Sequence, residues 1–131
     1  MKHIKTFQGT ISASDCDHNN HMNVMYYVGK FDQGTWELFS IIGLTSDYFK
    51  EQHRGMVALE QHITYTKEVV AGDIIYVESK INSISDKIIK FTHNMYLQTS
   101  KELVATTTIV GLHIDTVKRK GVPLPLLVDR F

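Results

Sequence analysis

Apolar positions along this chain follow two different rhythms, and the change between them divides it. Val24, Val28, Phe31, Thr35, Leu38 and Ile42 recur at alternating steps of four and three, which is the spacing of one helix face. Tyr26, Lys30, Gln33, Glu37 and Ser40 keep the same rhythm on a wetter face. The pattern predicts a long helix from Val24, capped at its C-terminal end by Gly43. Gly29 and Gly34 inside it should each cost roughly 1 kcal/mol relative to alanine, which points to close backbone packing against a sheet. A short second helix is predicted over Thr45 to Gln52, with Thr45 or Ser46 as its cap, and His53-Arg54-Gly55 ends it.

From Met56 the period becomes two. Val57, Leu59, Gln61, Ile63 and Tyr65 alternate with Ala58, Glu60, His62 and Thr64, which predicts a strand. Ala71-Gly72-Asp73 and Ser85-Asp86 read as turns around a second strand through Ile75, Val77, Ser79 and Ile81. A third runs through Ile89, Phe91, His93, Met95 and Leu97, and a fourth from Leu103 to Ile114 after Thr99-Ser100-Lys101. Residues 2 to 12 predict a first strand, although their alternation is less clean. Lys118 to Phe131 holds a Lys-Arg-Lys run and both prolines, so it is expected to leave the sheet as a cover or a tail. One long helix can bury its stripe against these strands only if the sheet wraps it, so the class is α+β.

Composition narrows the picture. With 131 residues and 43% hydrophobic content, the expectation is one domain over residues 1 to 131, burying about 65–70% of its unfolded surface. Lysine plus arginine and aspartate plus glutamate number 14 each, so no global field draws nucleic acid or an anionic membrane. No run approaches the ~18–20 apolar residues of a membrane span. The single cysteine, Cys16, excludes an internal disulfide, and no secretory-type stretch opens the chain, so a cytoplasmic location is expected.

The chemistry gathers just before the long helix, in Ser14-Asp15-Cys16-Asp17-His18-Asn19-Asn20-His21-Met22-Asn23. A loop this polar costs entropy and desolvation if it packs, so function accounts for it better than chance. The helix start must leave N–H groups unpaired near Met22, Asn23 and Val24, and they carry the positive end of the dipole. Such an end suits a developing oxyanion, and Asp17 supplies a carboxylate a few residues upstream. Two metal-site imitations fail on spacing. Asp15, Asp17 and Asn19 begin like a calcium loop, but Asn20 holds its glycine position and Tyr26 its glutamate position. His18, His21 and Asp15 lack a second cluster to complete a zinc set. No metal is expected.

The string Asp17-His18-Asn19-Asn20-His21-Met22-Asn23 with Tyr27 resembles the hotdog-fold thioesterase superfamily, in its 4-hydroxybenzoyl-CoA thioesterase-like branch. The family pattern is an aspartate, two residues, glycine, then His-hydrophobic-Asn and a tyrosine four further on. Asn20 departs from it at the glycine. Glu60 to Tyr65, Gly72-Asp73 and Val122-Pro123-Leu124-Pro125 also look like family features. The resemblance implies a single hotdog domain, an antiparallel curved sheet around one long helix, and hydrolysis of an acyl-CoA thioester. It implies Asp17 as nucleophile or general base, and the helix N-terminus, near Asn23 and Val24, as the group that polarises the carbonyl. Plant acyl-carrier-protein thioesterases are similar through Asp17, Asn19, His21 and Asn23, and there Glu60 would match a further acidic residue. On that likeness His21 would activate water and Asn19 would position it.

Tyr26 and Tyr27 are candidates to line the acyl pocket, and His21-Met22-Asn23 with this pair resembles small-acyl and betainyl-CoA thioesterases. Each has a plainer reading: Asp17 as a cap or turn, Asn23 as a pin for the loop, His21 as a satisfied structural imidazole, the tyrosines as core, Glu60 as a surface ion pair. Arg54, Lys118, Arg119 and Lys120 are loose candidates for CoA phosphates. The resemblance further implies no cofactor beyond the CoA of the substrate, and a homo-oligomer, a dimer or a tetramer of dimers, with the site at a subunit boundary. The rival functions are a non-catalytic acyl-CoA or acyl-carrier-protein binding module and a hotdog-fold hydratase.

Overall fold

Helix and strand periods fall where the pattern puts them in the computed structural model, which describes residues 2–125. Strand β1 covers Ile4–Thr10, helix α1 Val24–Ile41 and helix α2 Ser46–Gln52. Strands β2 (Arg54–Tyr65), β3 (Ile74–Ser85), β4 (Ile88–Leu97), β5 (Leu103–Asp115) and β6 (Lys120–Gly121) follow. All pairings are antiparallel, in the order β1-β3-β4-β5-β2, with β6 beside the end of β5. The result is an α+β fold in which a curved antiparallel sheet holds one long helix. No described helix is long and apolar enough to cross a membrane.

The buried side of α1 is Tyr27, Phe31, Gly34, Thr35, Leu38 and Phe39. The predicted stripe therefore holds from Phe31 onward and fails before it, because Val24 is 58% and Val28 40% exposed. The cause is the end of the sheet. β2 is its outermost strand, and Val28, Asp32 and Trp36 look across a cavity toward Met56, Val57 and Gln61 of β2, with no further strand beyond it among the described residues. The two glycines also separate. A Cβ on Gly34 would stand 2.9 Å from Thr6 Oγ1, whereas one on Gly29 would meet nothing within 4 Å. Only Gly34 marks close packing.

That contact leads into a buried polar chain. Ser79 Oγ lies 2.7 Å from Thr6 Oγ1 and is hydrogen-bonded to His93 Nδ1, while His93 Nε2 lies 2.8 Å from Thr35 Oγ1. Because the Thr35 hydroxyl donates to Phe31 O at 3.1 Å, it must accept from His93 Nε2–H. His93 Nδ1 then accepts from Ser79, and Ser79 from Thr6, which leaves every member satisfied with a neutral imidazole. Burial pushes the His93 pKa down to about 4. Residues from β1, β3, β4 and α1 are fixed to one another by this chain.

The C-terminal segment corrects an expectation. Asp115 Oδ1 accepts from the N–H groups of Val117 and Lys118 at 2.9 Å each, which turns the chain so that β6 returns to β5 instead of leaving the sheet. Val122 N–H donates to His113 O and Leu124 N–H to Asp86 O, and Leu124 packs on the core cluster that includes Phe39 and Phe91. The rest of the predicted tail, 126 to 131, lies outside the described residues.

Gly29→Ala is expected to raise stability by up to about 1 kcal/mol, and Gly34→Ala to lower it through Thr6; urea denaturation of both variants reads the difference. The polar chain gives a pH dependence. The unfolded chain protonates His93 near the ordinary 6.5, the folded one only near 4, so the unfolded state binds more protons between these values. Stability should fall as pH drops from 6.5 to 4, by roughly 3 kcal/mol from this group. His113, lowered by burial, adds in the same direction. Nuclear magnetic resonance titration of the two imidazoles separates them, and His93 titrating near 6.5 would contradict the tautomer chain.

Candidate active site

Between β1 and α1 the chain makes a tight reversal, closed by an isolated antiparallel bridge between Cys16 and Met22. Asp17 N–H donates to His21 O at 3.2 Å and Asn20 N–H to Asp17 O at 2.9 Å. Asn20 takes a left-handed φ of 65°, the conformation for which glycine is the usual residue and which asparagine tolerates best among the others. The departure from the glycine of the resembled pattern therefore has a local basis.

The reversal is pinned on both sides. Met22 is buried beside Tyr27, Phe31 and Val77, and its N–H donates to Val69 O at 2.8 Å. Asn23 N–H donates to Asp15 O at 2.9 Å. Asp15 does more than turn the chain, since its Oδ2 accepts from Lys30 Nζ at 3.1 Å and from Ser12 N–H at 3.2 Å. Two of the three N–H groups expected to be free at the helix start, those of Met22 and Asn23, are thus consumed. Met25 N–H donates to Asn23 Oδ1 at 3.0 Å and Tyr26 N–H to Asn23 O at 3.0 Å. Among the described residues the Val24 N–H has no acceptor, so it stays available as a donor at this end.

Asp17 is held at both oxygens. Oδ2 accepts from Asn23 Nδ2 at 2.9 Å and Oδ1 from Asn19 N–H at 2.9 Å. These bonds, Asn23 first, hold its carboxyl below the usual aspartate value, because they stabilise the charged form. Asn23 joins the two halves of the site: its oxygen caps α1 and its nitrogen holds the carboxylate.

The other candidates fall at unequal distances from this centre. Asn19 reaches Asp17 through its backbone, not its side chain. His21 does not bond Asp17; Nδ1 lies 3.3 Å from Met22 O and Nε2 3.8 Å from Glu68 Oε1. Tyr27 is buried with its hydroxyl 3.5 Å from Lys67 O, and Tyr26 is half-buried beside the same core. Glu60 stands exposed on β2, and among the described residues it makes no hydrogen bond or ion pair to the loop. Within one chain the structure does not bring Glu60 to Asp17. Among the described residues no three His, Cys, Asp or Glu side chains gather to hold a metal ion.

Sequence reasoning missed Tyr65 and Glu68, which line a cavity with His21, Val24 and Tyr27. Tyr65 carried a signal, since it shares the strand phase of Ile63, which packs on the core. Glu68 carried none, lying between a strand and a turn.

Replacing Asn23 tests the linkage. Asn23→Ala is expected to destabilise by about 1 kcal/mol through the lost cap and to raise the Asp17 pKa toward its ordinary value. Stability linked to a lowered carboxyl is present above the unfolded pKa and lost as pH falls through the folded one, so the variant should lose part of this acid-limb dependence. Titration of the Asp17 carboxyl by nuclear magnetic resonance checks the direction, and an unchanged Asp17 would refute the coupling.

Comparison with known proteins gives three consistent findings. The model of the thioesterase-like superfamily matches residues 11–130. The L-carnitine dehydrogenase/betainyl-CoA thioesterase of Agrobacterium fabrum (strain C58 / ATCC 33970) is 30% identical over 122 residues, covering 93% of this chain and 25% of the relative. One from a Rhizobium species is 26% identical over 125 residues, covering 95% of this chain and 25% of the relative. The chain therefore spans about a quarter of the length of these relatives. In structure, a Staphylococcus aureus protein solved in complex with CoA matches with a TM-score of 0.91 at 21% identity, over 99% of this chain and 82% of that one. A 1,4-dihydroxy-2-naphthoyl-CoA thioesterase from Synechocystis matches with a TM-score of 0.85 at 15% identity, over 98% and 93%. These likenesses in structure show the fold.

Proposed function

The chain belongs to the thioesterase-like superfamily, and from that premise we propose that it hydrolyses an acyl-CoA thioester to the free acid and CoA. The observation that carries this reading is the joining of an ionised Asp17 to the N-terminal end of α1 through the one side chain of Asn23. In this proposal the thioester carbonyl accepts from Val24 N–H, so charge that develops on its oxygen meets a donor already oriented by the helix. Asp17 then takes a proton from water as the water oxygen attacks the carbonyl carbon. Alternatively it attacks directly, and water cleaves the resulting anhydride. Either way a C–O bond forms, the C–S bond breaks, and CoA leaves as a thiolate; thiols are far more acidic than alcohols (a cysteine thiol has a pKa of about 8.5), so the leaving group needs little help from an acid.

The remaining roles are assigned on the same footing. Asn23 and the Asn19 backbone position the carboxylate, Asn19 placing water only if its free side chain turns inward. His21, Tyr26 and Tyr27 are assigned to the acyl side. The names of the relatives support a small acyl group, with betainyl the first to test. Among the described residues β2 has an unpaired edge with Val57 and Leu59 exposed, and Val24, Met25, Val28 and Trp36 add exposed apolar surface beside it. Monomers seldom leave such a patch on a free edge, which supports a homodimer closed along β2. Glu60, on that edge, would act across the boundary.

Thiol release from a panel of acyl-CoA thioesters, with the Cys16 background subtracted, tests the proposal. Turnover is expected on at least one small acyl thioester, and Asp17→Asn should lower it roughly 10²–10⁴-fold with folding intact. Full activity in that variant removes Asp17 from the chemistry. No turnover on any member, with binding retained, replaces hydrolysis by acyl binding.

A further inference from the structure

Beside the loop lies a cavity of about 290 Å³, bounded by His21, Val24 and Tyr27 on one side and by Tyr65 and Glu68 on the other. The rings of Tyr27 and Tyr65 stand edge to face, at 84° with centroids 5.0 Å apart, and together they make an aromatic corner of the cavity. The hydroxyl of Tyr27 is directed to Lys67 O, which leaves the ring body as its contribution to the wall. Such a corner suits a rounded group without hydrogen-bond donors.

The charge around it has one sign unbalanced. Lys67, which also borders the cavity, lies 3.4 Å from Glu102, so its ammonium has a partner outside. Among the described residues Glu68 has only the His21 ring, at 3.8 Å, the outer limit of an ion pair. Its negative charge is felt at the corner: after burial and Tyr65, Glu68 is among the groups that raise the Tyr27 phenol. An anionic acyl group placed here would face that carboxylate.

Reach fixes the size of the occupant. Val24, whose N–H is assigned to the thioester oxygen, itself borders the cavity, so a group one or two bonds beyond the carbonyl carbon already lies inside it. The second cavity begins at Val28 and runs on past Asp32 to Trp36. At about 1.5 Å per residue along the helix, it starts roughly 6 Å further on, beyond a short acyl group.

We propose that the corner of Tyr27, Tyr65 and Glu68 is a specificity subsite for a compact cationic acyl head, a quaternary ammonium one methylene from the thioester carbonyl. The inference rests on the hydrolase reading above. The tyrosine faces meet the methyl-covered cation by cation–π attraction, and the Glu68 carboxylate balances its charge without needing a hydrogen bond.

The test compares two thioesters of one shape, trimethylammonioacetyl-CoA and tert-butylacetyl-CoA, which differ in a charged nitrogen for a carbon. Native protein is expected to prefer the cation in kcat/KM by about tenfold or more, and Glu68→Gln and Tyr65→Leu should each bring the ratio toward one. Calorimetric titration of Asp17→Asn with both thioesters reads the same preference without turnover. Equal hydrolysis of both, or a ratio that neither substitution moves, overturns the subsite and leaves the hydrolase standing. Tighter binding of the cation by Asp17→Asn, with neither thioester cleaved by native protein, upholds the subsite and overturns the hydrolase. Neither bound nor cleaved overturns both.

Discussion

A single amide, that of Asn23, is bonded at both ends, and the geometry of the site depends on it. Its oxygen faces the Met25 N–H and its nitrogen faces the Asp17 carboxylate. The orientation is dictated by chemistry, because the reverse flip would set oxygen against carboxylate and nitrogen against an N–H donor. One residue thereby sets the start of a helix, with its open Val24 N–H, at a fixed distance from a carboxylate. The surroundings keep that residue still: Asp15 O accepts its N–H, Lys30 holds Asp15, and Met22 plugs the core one residue earlier.

Fixing the end of α1 has value only if the helix itself is fixed on the sheet. The chain Thr6, Ser79, His93 and Thr35 does this from the inside, linking α1 to β1, β3 and β4 in one tautomer. Buried polar groups destabilise when left unpaired and specify position when all are paired. His93 stacks on Phe31, with ring centroids 5.8 Å apart and planes within 8°, so apolar packing and hydrogen bonding fix the same helix turn. Gly34 lets the helix approach closely enough for Thr6 to take part.

Much of this was legible in the residues, and the exceptions share a cause. The change of period from helix to strand, Thr45 as a cap and Gly43 with its positive φ are local properties, so sequence spacing reveals them. Val24 and Val28 belong to the apolar rhythm yet lie exposed, because spacing records what a helix offers and not where the sheet ends. The N–H groups of Met22 and Asn23 looked free because their acceptors are chosen by the fold; Val69 is far along the chain and no local pattern announces it. Tyr27 and Tyr65 likewise meet only once the fold brings the start of α1 to the end of β2. The pairing of Asp17 with Asn23 is local, because both sit within one loop.

The exposed start of α1 and the edge of β2, unpaired among the described residues, adjoin one another: Val28 and Val57 border one cavity. In water, a lone N–H such as that of Val24 competes with solvent, and the helix dipole behind it is screened. Covering the apolar side chains of Val24, Met25 and Val28 would remove that water and strengthen the donor without moving it. Pairing β2 with a second copy would satisfy the strand edge by the same association. In the homodimer proposed above, assembly would therefore be coupled to oxyanion stabilisation through the desolvation of one helix turn, and Glu60 would gain access to a site it does not reach within its own chain.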